Sequence, residues 1–488
     1  MDRLGSLPAI IGVLLVMVQI GVCVAALGII PGNRRPSTGM AWLILVLAVP
    51  FFGLLAFLFV GSNRVERDRR ERQVRVNAEI HARTQDIAEL GEHRPDIPYV
   101  AGVAVLNRRL GALPMVGGNR ARFYPDYGAS IAAMTAAVET AERFVHVQFY
   151  ISAWDEVTAP FFEALVRATE RGVRVRLLFD HLGSRGIPVY GTMLERLRET
   201  TIEWHPMMPL ELLKGKWRRP DLRNHRKILV VDGLIGFAGS QNLIEPSYNK
   251  PANQEAGRTW VELVTRVEGP VVAELNAVFL SDWYSETDEI LADTVDSALA
   301  RTGDGDVVAQ VVPSGPGFTT ENNLRMFTTL IYGAKRRLSI TSPYFVPDES
   351  LLYAITTAAQ RGVEVELFVS AVGDQFMVHH AQRSYCQALL EAGVRIQLYP
   401  APFVLHSKHF SVDDDVVVIG SSNMDLRSFA LNYEVSLMLL GGEVVQQVRV
   451  VEDTYRSLSR ELTLEEWQER SHRSRYVDNV MRLTSALQ

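Results

Sequence analysis

Two uninterrupted apolar stretches open the chain. Leu7 to Ile30 holds no charged residue, and after Pro31-Gly32-Asn33-Arg34-Arg35-Pro36 a second uncharged run extends from Met40 to Gly61. As a helix rising about 1.5 Å per residue, each can cross about 30 Å of hydrocarbon. The pattern predicts a two-helix transmembrane hairpin within residues 1–62, with spans at about 7–30 and 40–61. A cleaved signal peptide fits less well. Asp2 offsets Arg3, the first run is too long for a signal core, and a second run follows at once. Bulky Val22 before Cys23 also speaks against a lipoprotein signal.

Residues 63–112 read as a charged juxtamembrane linker, in which Glu66, Asp68 and Glu71 interleave with arginines. A solvated helix and a helix touching anionic headgroups are both open readings. Flanking charge sets the orientation. Arg64, Arg67, Arg69, Arg70, Arg72 and Arg75 outweigh Arg34 and Arg35, so the heavier cluster is expected inside. That predicts a multi-pass protein of the cell (inner) membrane with its catalytic domain cytoplasmic.

Beyond Leu113 the pattern becomes α/β. Arg143–Tyr150 predicts a buried strand, Ala159–Arg171 a helix and Val173–Phe179 a strand ending at Asp180-His181-Leu182-Gly183-Ser184. Strand, helix, strand at this spacing implies a parallel pair with a crossover helix. The same order returns as Arg337–Thr341, Leu351–Arg361 and Val363–Val369, and "ATERGVRVRLLF" overlays "AAQRGVEVELFV". The chain therefore reads as two homologous lobes, each a mixed sheet flanked by helices, over residues 113–300 and 301–488.

Composition narrows the function. A chain of 488 residues with 47% hydrophobic and 22% charged residues is ordinary for a globular protein carrying an apolar segment. A net charge of -6 argues against a dedicated nucleic-acid binder. Only Cys23 and Cys386 are present, and Cys23 lies in an apolar run, so no disulfide framework is expected.

The chemistry is written twice. His225, Lys227, Asp232, Gly239, Ser240 and Asn242 form H-x-K-x4-D-x6-G-S-x-N. His406, Lys408, Asp413, Gly420, Ser421 and Asn423 repeat it with the same spacing in the other lobe. Residues i and i+2 of a strand share a face, so each His projects with its Lys. An imidazole can serve as nucleophile, base or acid, and a lysine donates to phosphate oxygens. Ser and Asn on the following turn would add neutral donors. One set is half a phosphate site, and two sets facing each other complete it. No Cys or carboxylate cluster has metal-ligand spacing, so chemistry without metal or other cofactor is expected.

The doubled motif is the HKD signature, and over residues 113–488 the chain resembles the phospholipase D superfamily. The N-terminal hairpin and the runs "DLRNHRKILVVDG", "FDHLGS" and "LRSFALNYEVSL" are similar to the bacterial cardiolipin synthases. The resemblance implies a phosphatidyl group passed through a phosphohistidine, with His225 as nucleophile and His406 as acid and base. It implies phosphatidylglycerol and other anionic phospholipids as partners, with the bilayer, and no nucleic acid. A phospholipase D-type hydrolase or another phosphatidyltransferase stands as the alternative, and a phosphodiesterase or nuclease as a distant one.

Asp232 and Asp413 are expected with the catalytic set, although a turn-forming role is the competing reading. The resemblance points to Glu262 and Glu434 as partners that fix the histidine tautomers. The basic run "KGKWRRPDLRNHRK" (Lys214, Lys216, Trp217, Arg218, Arg219, Arg223, Arg226) reads either as a solvated loop or as a lip meeting an anionic bilayer.

Overall fold

A computed structural model describes residues 6–32, 36–61, 67–85, 87, 97–210, 220–291, 303–318, 321–483 and 485. An apolar N-terminal unit ends by Val65. A second compact unit runs from Glu66 to Gln488 apart from residues 219–221.

In the N-terminal unit, Ser6–Ile29 is one helix of 24 residues. Among the described residues it alone, through Gly12–Ile29, is long and apolar enough to cross a membrane. The expected second span, 40–61, is not one continuous helix. Its helix Pro36–Ala48 stops at Val49, and a new helix, Pro50–Ala56, leads into a π-helical turn at Phe57–Gly61. Proline lacks the donor a continuing helix needs and pushes the residue before it out of the helical region. Val49 accordingly sits at φ −135°, ψ 74°. The chain reverses there, so that Phe57 meets Trp42 edge-on with ring centroids 5.6 Å apart.

The second unit contains the two lobes as a structural duplication. The first sheet runs Arg120–Tyr124, Val264–Glu268, Ile235–Gly239, Ile228–Val231, Phe144–Phe149, Arg174–Asp180, Glu203–Met207. The last three strands are parallel and the others antiparallel. The second sheet repeats that order with Gly305–Ser314, Glu434–Leu440, Val416–Gly420, His409–Val412, Arg337–Thr341, Glu364–Ser370, Arg395–Tyr399. It adds Val116–Gly118 at one edge and Arg460–Leu462 at the other. The parallel pairs follow from short crossover helices, Ala159–Glu170 and Glu349–Gln360. Both end at an Arg-Gly pair whose glycine, Gly172 at φ +86° or Gly362 at φ +93°, takes the left-handed conformation that closes a helix.

Each half ends in a long helix, Val271–Thr287 and Gly442–Leu458. These helices share a core with both sheets: Val230 and Val267 from the first, Ala309, Val417 and Leu437 from the second, Leu275 and Val448 from the helices. Burying one such side chain is worth roughly 1.5–3 kcal/mol, so this common core fixes the two halves against each other.

Residues 63–112 are only partly a linker. Helix Arg67–Thr84 packs on Val271–Thr287, with Arg72 donating to the Ser285 carbonyl (3.1 Å) and pairing with Asp288 (2.7 Å). Helix Pro98–Gly111 contributes Val100, Val103 and Ala104 to the core of the second lobe. Asn107 donates to Gln310 there at 3.0 Å. The strand Val116–Gly118 likewise pairs within the second sheet, so the expected boundary at 113 is crossed by the chain.

Candidate active site

The site forms where a short segment of each half lies beside one of the other. Val404-Leu405 pairs in parallel with Trp260-Val261, and Asn224 bridges Tyr433 in the same sense. The His406 amide donates to the Val261 carbonyl (2.8 Å) and the His225 amide to the Tyr433 carbonyl (2.9 Å). In this register the next residues fall side by side: His406 with Glu262, and His225 with Glu434.

The side chains complete the exchange. His225 Nδ1 lies 3.1 Å from both oxygens of Glu434 and 3.0 Å from the Ser421 carbonyl. A carbonyl oxygen can only accept, so Nδ1 carries the proton and Nε2 keeps its lone pair. His406 Nδ1 lies 2.6 Å from Glu262 Oε1. Thus both expected glutamates reach a motif histidine, and each reaches the one in the opposite half.

Lys227 and Lys408 project with their histidines as the strand period requires. Each ammonium donates to the carbonyl two residues back, at 2.5 Å to His225 and 2.7 Å to His406. Lys408 Nζ also stands 3.1 and 3.2 Å from the two ring nitrogens of His406. The ring of Tyr150 packs edge-on to His225, with centroids 4.8 Å apart, and Tyr344 packs similarly on His406 at 6.2 Å.

Burial governs the electrostatics. It lowers His225 to about 4, with Glu434 opposing and Lys227 assisting. It also holds His406 well below the usual imidazole range. Burial, and then the like charge of Lys408, lowers Lys227, while Lys408 is brought down to about 8. Two desolvated ammonium groups that oppose each other's charge suit an anion. The carboxylates diverge. Burial lifts Glu262 to about 7. It pushes Glu434 up too, but His225, Lys227 and Ser421 together outweigh it and hold Glu434 below its ordinary value.

The remaining expected residues have other tasks. Ser421 donates to Glu434 and accepts from Val435 N (3.0 Å), and Ser240 accepts from Leu263 N (3.0 Å), so both serine hydroxyls brace the glutamate segments. Asn242 accepts from Ile151 N (3.2 Å) and donates to the Tyr248 hydroxyl (2.8 Å). The buried Asn423 amide oxygen has no hydrogen-bond partner among the described residues.

Asp232 and Asp413 spend their carboxylates on backbone amides, as the turn-forming reading expects. Asp232 accepts from the amides of Glu142, Arg143 and Phe144, each at 2.8 Å. Asp413 accepts from Lys335, Arg336 and Arg337 at 3.0, 2.7 and 2.9 Å. Both sit at positive φ, +53° and +50°, and tie the motif hairpin to the first strand of the parallel unit.

In the basic run, residues 214–219 lie outside the described residues. Arg223 and Arg226 are buried, contrary to either expectation. Arg223 pairs with Asp180 (3.2 Å) and Arg226 with Asp282 (2.7 Å). Arg226 also donates to the Glu434 carbonyl at 3.0 Å, so it braces the crossed strands. Asp180, a strand end in the sequence pattern, accepts from Asn224 N at 3.1 Å and anchors the approach to His225.

A duplicated sheet with paired His-Lys motifs at its seam defines a phospholipase D-like enzyme. The family described as "Cardiolipin synthase, PLD-like domain" matches residues 134–283 and 327–452, and that described as "Phospholipase_D-nuclease N-terminal" matches residues 20–62. A cardiolipin synthase A of Serratia proteamaculans is 34% identical over 473 residues, covering 94% of this chain and 95% of that one. A cardiolipin synthase of Geobacillus kaustophilus is 32% identical over 484 residues, covering 98% and 94%. The crystal structure of phosphatidylserine synthase from Haemophilus influenzae shares the fold, with a TM-score of 0.59 at 14% identity over 79% of this chain and 99% of that one. The chain belongs to the cardiolipin synthase family. It is thus a phosphatidyltransferase of phospholipid metabolism.

Proposed function

We propose that the enzyme joins two phosphatidylglycerol molecules into cardiolipin and glycerol, with His225 as nucleophile. His225 Nε2 attacks the phosphorus of the first lipid, the P–N bond forms, and the P–O bond to glycerol breaks. His406 delivers a proton to the leaving oxygen. A hydroxyl of the second lipid then gives its proton to His406 and attacks the same phosphorus. The P–N bond breaks, and its electron pair returns to His225. One phosphodiester replaces another, so covalent catalysis needs no nucleotide. Lys227 and Lys408 hold the non-bridging oxygens.

The observation that carries the order of roles is the unlike pair of carboxylates. Glu434, kept anionic, fixes Nδ1–H on His225 and leaves Nε2 free. Glu262, poised near 7 against His406, keeps an exchangeable proton with the histidine that must give one up. The apolar helix Ser6–Ile29 anchors the enzyme in the membrane, and the arginines at 64–75 place the catalytic unit on the cytoplasmic side.

Rapid quenching with phosphatidylglycerol labelled in its phosphatidyl part tests this directly. The label should appear on His225 in an acid-labile, base-stable adduct, with glycerol released at the same time and cardiolipin following. Label on His406 would reverse the roles. Phosphatidic acid as the sole product, with acceptor lipid in excess, would make the enzyme a hydrolase.

A further inference from the structure

The loop after strand Glu364–Ser370 borders a cleft for which the reaction so far has no use. Tyr344, Ser370, Asp374, Gln375, His379 and Val404 line it; it is narrow and opens to solvent, with room for about one water molecule between the side chains as they stand. It adjoins the reacting groups. Tyr344 packs on His406, Val404 lies two residues before His406, and Asp374 is among the charges that act on His406 and Lys408.

Within it one carboxylate is held ready. The Tyr344 hydroxyl donates to Asp374 Oδ2 at 2.7 Å and receives the Gln375 amide at 2.9 Å. Asp374 Oδ1 accepts no hydrogen bond among the described residues. His379 beside it stays neutral, because burial and then Arg383 and His380 bring it down to about 4.

At the matching place the other half has no such carboxylate among the described residues. Register from the shared Arg-Gly turn sets Asp180 against Ser370, Gly183 against Gly373 and Ser184 against Asp374. Asp180 and Ser370 do the same job, accepting from the amide just before each motif histidine: Asn224 N at 3.1 Å and Leu405 N at 2.8 Å. Ser184 is used internally, accepting from Ser152 N at 3.0 Å. Asp374 therefore breaks the twofold on the side of His406, where the alcohol leaves and enters.

We propose that Asp374, oriented by Tyr344, binds the hydroxyls of the glycerol headgroup and so selects a polyol as the alcohol that His406 serves. This rests on the transferase reading above. A carboxylate with one oxygen already satisfied accepts from a neutral hydroxyl. The charge of Lys408, which is coupled to Asp374, disfavours a second cation, so a polyol fits better than an ammonium headgroup. Leaving and attacking alcohols occupy the same place, so one subsite serves both. Asp374 is a binding residue and Tyr344 a positioning residue.

The test uses the full-length enzyme, with phosphatidylglycerol or cardiolipin as donor and glycerol or propan-1-ol as competing acceptor. Propan-1-ol offers the attacking hydroxyl without the others. In Asp374→Ala the ratio of phosphatidylglycerol to phosphatidylpropanol formed should fall about tenfold or more, the loss expected for one hydrogen bond to a charged group. The loss should show as a higher KM for glycerol. Asp374→Glu should recover part of the ratio. Tyr344→Phe, which keeps the ring and frees the carboxylate, should lower the ratio in the same direction by less. Equal loss with both alcohols in Asp374→Ala and Tyr344→Phe would overturn the proposal. So would a wild-type preference for ethanolamine that disappears in Asp374→Ala. Failure of the wild type to transfer to either alcohol would instead remove the transferase reading, and this inference with it.

Discussion

His225 and Glu434 stand 209 residues apart in sequence and in opposite halves of a duplication, yet the imidazole Nδ1 lies 3.1 Å from both carboxylate oxygens. His406 and Glu262 repeat the relation in the opposite sense. Each histidine is therefore oriented by the half to which it does not belong.

Glu434→Gln should lower the rate of cardiolipin formation about 100-fold or more, since an amide can offer Nδ1 the wrong partner and fix the wrong tautomer. Glu262→Gln should cost less near pH 7, because Glu262 is already partly protonated there. Initial rates of glycerol release from both variants, side by side at pH 7, decide the matter. Equal losses would mean that the two carboxylates are equivalent.

Activity should fall on the alkaline side with a midpoint near pH 8. Burial lowers Lys408 to about 8, so the ammonium proposed to hold phosphate is charged below that pH and neutral above it. Lys408→Arg, whose guanidinium stays charged, should lower the rate overall and remove the part of the limb near pH 8, leaving the loss that follows deprotonation of Glu262 near 7. The measurement is kcat/KM against pH for both proteins, and a limb near pH 8 unchanged in Lys408→Arg would assign it elsewhere.

Asp232→Ala and Asp413→Ala should destabilise more than they slow. Each carboxylate satisfies three backbone amides, and hydrogen bonds to a charged group contribute about 1.5–3 kcal/mol apiece. Thermal melting should shift down by several degrees, while turnover per folded molecule changes little. A normal melt with lost turnover would return both residues to the catalytic set.

Arg226→Ala should strip a buried charge from Asp282, a change that costs about 3–5 kcal/mol. Folded yield should drop sharply, whereas binding of the folded fraction to anionic vesicles should match the wild type. Weak vesicle binding at normal stability would restore Arg226 to a membrane-facing lip.

The duplication and its histidines, lysines, serines and asparagines were legible because the pattern is local and occurs twice. Glu262 and Glu434 could be nominated but not paired, since only the contacts Val404-Leu405 with Trp260-Val261 and Asn224 with Tyr433 decide which histidine each meets. The basic run misled because charge counted along the chain is blind to partners. Asp180 and Asp282, which bury Arg223 and Arg226, come from distant strands and helices. The break in the second apolar stretch was hidden for a different reason. Hydropathy averages over Pro50, where the backbone turns. The charged segment before residue 113 looked like a tether because its apolar face, Val100, Val103 and Ala104, is short and its partner helix lies more than 200 residues on.

The crossed carboxylates also bear on the enzyme's descent. Because every relay is built from one residue of each half, one half alone lacks a complete relay, and two identical subunits, each lending its glutamate to the other, would supply it. The fused chain keeps that bargain but no longer has to be symmetric. Once both halves travel on one polypeptide, Glu262 and Glu434 are free to adopt unlike proton affinities, and one histidine can specialise in attack while the other specialises in proton transfer.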